Sequence, residues 1–334
     1  MRAPGRSPSA VVAVVAATTV VAGAVPGMAR AAAPGTGCSA PTVTVDGPER
    51  LAAALAGARP GDVIRIADGT YDGNWTATTP GTEYRPIWLC GGPKAVLTNG
   101  GHRGGHGLHL DGASWWHVHG FSVAAARKGV VVERAEHVTL EGLNVHDVGE
   151  QGIHLRRHTT GSFVSGNTVY GTGHAGSQWG EGVQIGSDDV DWPVHTEGLP
   201  DRSDRNIVAG NTIHTTTAEP IAVREGTSRG LVVGNVLDAG AGGDGCGEVK
   251  GNDWVFSHNA CTASRTDGWR THRTRVGGHW GLRTVFTGNE VALAGTSPGY
   301  GFKIDAPAEV RAIVNCDNTV TGGMFANVGC VSWP

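Results

Sequence analysis

The chain is short of several residue types, and each shortage excludes something. Its 334 residues include only 3 Met and 4 Tyr, and its only Lys are Lys94, Lys128, Lys250 and Lys303. Leu and Met this scarce argue against a helical protein. No Cys-x-x-Cys pair occurs, which removes the common zinc spacing. The Gly-rich run near residue 240 lacks the Gly-Lys-Ser/Thr of a phosphate loop. Beyond residue 25 no apolar run is long enough to cross a bilayer.

What is present begins with a leader. Arg2 and Arg6 precede an apolar run from Ala10 to Val25, followed by Pro26 and the small-residue sites Ala29-Arg30-Ala31 and Ala31-Ala32-Ala33. This pattern predicts a secretory signal peptide over 1–31, with cleavage near 31–33. The remaining domain, 32–334, is expected to be secreted and extracellular, off the membrane after cleavage, and monomeric. Without Arg2, Arg6 and Arg30 there are 23 basic against 30 acidic residues, a formal charge of −7 rather than −4. That balance disfavours a nucleic-acid partner.

Gly accounts for 54 residues without a collagen period, a composition of many tight turns. All six Cys (Cys38, Cys90, Cys246, Cys261, Cys316 and Cys330) follow the leader, so disulfides are expected. Of fifteen possible pairings, joining neighbours in sequence order is favoured: Cys38–Cys90, Cys246–Cys261 and Cys316–Cys330.

One helix is predicted, Pro48 to Ala58, ended by Gly57 and Pro60. It leads into G-D-V-I-R-I-A-D-G-T-Y, an alternating strand. From Gly107 two strand series interleave. One includes Gly107-Leu-His-Leu, Gly129-Val-Val-Val, Gly152-Ile-His-Leu and Gly182-Val-Gln-Ile. The other includes S-F-V-S-G-N-T-V, N-I-V-A-G-N-T-I and G-L-V-V-G-N-V-L. Where nothing is inserted the period is about 22–24 residues, the signature of a solenoid. The fold class is therefore all-β, a single-stranded right-handed parallel β-helix capped by the short N-terminal helix. The open end of such a stack needs that cover. Recurring Asn at one turn (Asn167, Asn211, Asn235, Asn259, Asn289, Asn318) predicts a structural amide ladder, with Asn tolerating the left-handed backbone there.

Two insertions interrupt the period, 186–205 and 291–300, and each is expected to wall a cleft. Between them strand alternation assigns the outward side chains. One column is Arg224, Lys250, His272 and Asp305. Its neighbour is Ala222, Glu248, Arg270 and Lys303, with Trp269 turned inward.

The segments G-E-G-V-Q-I-G-S, P-D-R-S-D-R-N, V-R-E-G-T, V-K-G-N, D-G-W-R-T-H and P-G-Y-G-F, with the cap and Cys-terminated tail, resemble secreted bacterial right-handed parallel β-helix proteins of the pectate-lyase-like superfamily. The pattern of Lys followed by a basic residue one rung on is also similar to β-helix lyases of the chondroitinase B and alginate lyase type. The resemblance implies Lys250 as the base, with His272 where an Arg acid is expected. The chain departs from its closer relatives in carrying Ala222 and Arg224 where they carry Asp and Lys.

These residues suit β-elimination across a uronic acid in an acidic polysaccharide. A base removes the C5 proton while positive groups or Ca²⁺ stabilise the charge gained by the carboxylate. Lys250, His272 and Arg224 are the catalytic expectation, and cationic neighbours would favour the free amine of Lys250. Arg270, Glu248 and Trp192 are expected at the substrate, and Trp115, Trp116 and Trp179 as sugar platforms or anchors. Glu181, Asp188 and Asp189 form a candidate Ca²⁺ site; no other cofactor is implied. The same acids, with Asp191, could supply the two carboxylates of an inverting glycoside hydrolase, and a non-catalytic carbohydrate-binding surface protein is the third reading.

Overall fold

Parallel pairing of every third strand dictates the architecture. The computed structural model describes residues 37–176, 179–240, 242, 245–294 and 299–332; the expected leader lies outside these residues, as do 295–298 of the second insertion. The chain visits three sheets in rotation, one of 11 strands and two of 10, and neighbours in each sheet are three strands apart in sequence, save the first pair, Val43–Val45 with Val63–Ile66. The ladders are parallel, for example Ile207↔Leu231 and Leu231↔Val255. The result is a right-handed parallel β-solenoid.

Alternation drives it. In each three-residue strand the central or flanking aliphatic side chains turn inward, so Val183, Ile185, Ile221, Val223 and Val249 are fully buried. Each such side chain contributes about 1.5–3 kcal/mol when withdrawn from water. Toward the C-terminal end the filling becomes aromatic: Phe256, Phe286, Phe302 and Phe325 follow one another with ring centroids 5.3, 5.1 and 5.9 Å apart. Trp269 joins that stack, 4.9 Å from Phe256.

The cap helix runs Pro48–Ala56, and the Gly57 N–H closes it on the Ala53 carbonyl. Leu51 and Leu55 are buried in the same core as Trp75 and Ala77, so the helix covers the first rung. Disulfides join Cys38–Cys90, Cys246–Cys261 and Cys316–Cys330.

The amide ladder is present. Nδ2 of Asn167, Asn211, Asn235, Asn259 and Asn289 each donates to Oδ1 of the next Asn at 2.9 Å. The left-handed backbone at this turn belongs to the preceding residue, not to Asn. Gly166, Gly210, Gly234 and Gly288 have φ between 62° and 64°, and His258 takes the same place with φ 54°.

Replacing Asn235 by Ala removes the acceptor for the Asn211 N–H and amide and the donor to Val208. Leaving such buried groups unpaired costs about 1–3 kcal/mol each. Urea unfolding of Asn235→Ala is expected to show a loss above about 2 kcal/mol; an unchanged midpoint would refute the ladder's role.

Candidate functional site

Register places the expected columns on the outer face of the sheet that contains Val183–Ile185, Ile221–Val223, Gly247–Val249 and Trp269–Thr271. Ala222, Glu248, Arg270 and Lys303 are successive partners. One position on, Lys250 N–H donates to Val223 O at 2.8 Å and His272 N–H to Val249 O at 2.9 Å. Arg224, Lys250 and His272 therefore lie on consecutive rungs.

Glu248 links these residues. Its Oε1 lies 3.4 Å from Lys250 Nζ and 3.3 Å from His272 Nε2, while its Oε2 accepts from Arg224 Nη1 at 2.6 Å. Burial opposes its ionisation, but Lys250, Arg224 and His272 outweigh that and hold the carboxyl below its usual range. Lys250 Nζ is also 3.9 Å from both Asp188 and Glu225, so carboxylates surround it where cations were expected to act. Burial, with Lys250 and Arg270 against Glu248, lowers His272 and favours its neutral ring. Arg270 donates to Asp267 at 2.7 Å. Beyond it a cavity of about 530 Å³ is lined by Arg270, His272, Lys303, Asp305 and Asn327, the Lys303 ammonium lying 4.5 Å from the Tyr300 ring centroid.

Three expectations change. Arg224 does not face substrate: its side chain is only 7% exposed and pairs with Glu181, Asp188 and Glu248. Trp192 is no sugar platform, being 2% exposed with its indole N–H donating to the Ser187 carbonyl; it pins the insertion from inside. Nor do Glu181, Asp188 and Asp189 meet as a metal site. The first two are taken by Arg224, and the Asp189 N–H donates to Glu225. Among the other tryptophans, Trp116 is fully buried and Trp115 stacks on His137 at 4.2 Å.

The first insertion walls a hollow, but over the rungs before Arg224 rather than across those of Arg224 to His272 as expected. Asp201 ties it down by accepting from the Arg157 and His158 N–H groups at 2.8 and 2.9 Å. Its Asp188, Asp191 and His195, with Trp179, border a second hollow of about 260 Å³ over Lys128, Gln151, His154, Arg156 and Gln184. None of these floor residues was singled out from sequence, although Lys128-Gly, Gln151-Gly and Glu181-Gly repeat at one position of successive rungs. Burial lowers Lys128, which Glu150 opposes from 2.6 Å. His154 is buried and lowered well below its ordinary value by burial, then by Arg156 and Lys128; its Nε2 meets the Gly186 carbonyl at 2.9 Å.

With this geometry in view, comparison places the chain. Residues 106–333 match the family model described as right handed beta helix region, and the chain belongs to that family. Its structure is similar to that of an alginate lyase from Paenibacillus sp. str. FPU-7, at 29% identity and TM-score 0.77, covering 87% of this chain and 98% of that one. It is also similar to pectate lyase Pel9A, at 14% identity and TM-score 0.61, covering 83% and 72%. The periplasmic alginate epimerase AlgG follows at 14% identity and TM-score 0.51, covering 86% and 84%. The last two likenesses show the fold alone. No match was found among curated proteins.

The neutral histidines of this face make stability depend on acid. His106 is lowered to about 3, by burial first and then by His109 and Arg156. From about pH 6.5, where an unfolded His titrates, down to about 3, the unfolded chain binds a proton the native chain refuses. Stability falls as pH drops through that window. Glu133 adds the same sign below the ordinary carboxylate range. Burial would raise it, but His109, 3.3 Å away, and the Arg156 guanidinium hold it far lower. The urea midpoint is expected to fall between pH 7 and pH 4; a rise would contradict these assignments.

Proposed function

We propose that this protein is a polysaccharide lyase that cleaves uronate-containing acidic glycans by β-elimination, with alginate-like polyuronates the first substrates to try. The observation that supports it best is Lys250 and His272, on adjacent rungs and sharing Glu248 Oε1 at 3.4 and 3.3 Å, with His272 lining the open hollow beside Arg270. The likeness to an alginate lyase over 98% of that chain supports the same reading.

In this reading Arg270, with Lys303 behind it, meets the uronate carboxylate and stabilises the charge it gains when C5 loses its proton. Lys250 takes that proton. The C5–H electrons form the C4–C5 double bond, the C4–O4 bond breaks, and the proton passes from Lys250 to the leaving oxygen. His272, whose neutral ring burial favours, orients that oxygen with its ring N–H. Glu248 holds both side chains in place. The three disulfides suit an oxidising compartment, and among the described residues no helix is long and apolar enough to cross a membrane. We therefore take the protein to be exported, acting as a monomer.

The test is to incubate the protein with alginate, pectate and glycosaminoglycans while following absorbance near ~235 nm, where unsaturated uronates absorb. Lys250→Ala is expected to lose about 10²–10⁴-fold in rate while still binding polymer; full activity in that variant would remove Lys250 from the mechanism. New reducing ends without the absorbance would make the protein a hydrolase. Binding without cleavage would make it a carbohydrate-binding module.

A further inference from the structure

Arg224 is the residue whose place in the cleft the lyase reading leaves unexplained. Three carboxylates from three separate segments converge on it. Glu181 precedes the rung before it, Asp188 descends from the insertion, and Glu248 belongs to the rung after it. Glu181 is 1% exposed and Asp188 9%. Burial raises both, and Arg224 is the largest influence opposing that rise. Room for the root of the Arg224 side chain is made by Gly186, one rung back in the same column. A Cβ there would lie 2.6 Å from the Thr227 methyl and 3.3 Å from Arg224 Cβ. Gly186 has φ 82°, a conformation Gly adopts without penalty.

Three converging carboxylates with a buried centre are the donor set of a hard divalent cation, which takes six to eight oxygens and tolerates irregular geometry. Here the centre is filled by a side chain. We propose that the Arg224 guanidinium is the resident cation of this cage, so that the protein holds the cage closed without a metal. A guanidinium suits the task because it keeps its charge when buried and its planar fork can engage several carboxylates at once. The device recurs on the same face. His109, Asp111 and Glu133 bring one ligand atom each within 4.8 Å of one another. Yet Arg156 and Arg157 occupy Glu133, and Arg134 occupies Asp111. Both acidic clusters carry their own arginine.

The test needs no turnover and is therefore independent of the lyase reading. Melting temperature is measured in EDTA and in millimolar CaCl₂, with calorimetric titration of Ca²⁺ alone. The wild type is expected to melt at the same temperature in both and to give no binding heat. Arg224→Ala and Arg224→Gln leave the three carboxylates facing an empty centre. They are expected to melt lower in EDTA and to recover by about 2–4 °C, saturably, with Ca²⁺. Arg224→Lys keeps a cation and should remain indifferent, and Glu181→Gln added to Arg224→Gln should abolish the response. Stabilisation of the wild type by Ca²⁺ to the same extent would overturn the proposal, as would a folded Arg224→Gln that takes no Ca²⁺. If the alanine variant fails to fold, the glutamine and lysine variants carry the test.

Discussion

Backbone hydrogen bonding between successive rungs, parallel and in register, is the constraint on which the rest of this molecule depends. Once residue n is fixed opposite its partner one turn later, every side chain belongs to a column with a spacing of roughly 4.8 Å. Columns facing inward fill with Val, Ile, Leu and finally Phe. A column at one turn becomes the Asn ladder. The columns facing outward on one sheet become the cleft floor. The Cys246–Cys261 bridge fastens the rung of Lys250 through the same logic, because Cys246 lies just before the strand that presents Glu248.

Stacking also creates an electrostatic problem. Arg224, Lys250 and His272 follow one another in one column, and three cations in sequence would repel. The structure resolves this sideways. Glu248 sits between the two columns and engages all three, while Glu181, Glu225 and Asp188 complete the surroundings. Burial also lowers His272, which favours its uncharged ring. What reads in one dimension as a basic stripe is a nearly balanced array in three.

That difference marks how far the sequence could be read. Alternation of apolar residues correctly assigned Glu248, Arg270 and Lys303 to one column and turned Trp269 inward, because alternation reports directly on the pleat. The cap, the ladder and the cysteine pairs were legible for similarly local reasons. Arg224 was put in the right column but taken as open to substrate, and Trp192 was misplaced, because periodicity distinguishes inside from outside only relative to the coil. It says nothing about an irregular insertion folding back over the coil. The segment 187–204 does that, covering Arg224 with Asp188 and drawing Trp192 under itself. The hollow over Lys128 and His154 was missed for a related reason: its walls come from that same segment, and its floor is obvious only once the walls are known.

The Asn ladder has one property that a list of its bonds conceals. Every link runs the same way, amide nitrogen to the oxygen of the next rung, from Asn167 to Asn318. The side-chain amides are therefore aligned head to tail, and each polarises the next. At its first link, Asn167 Oδ1 accepts from the Leu143 N–H; at its last, Asn318 Nδ2 donates to the Phe286 and Asn315 carbonyls. The ladder is thus a terminated wire with a direction. It gives the solenoid an electrical polarity along its length that the parallel strands lack, because their N–H groups donate both to the earlier rung, as Lys250 does to Val223, and to the later one, as Ile221 does to Cys246.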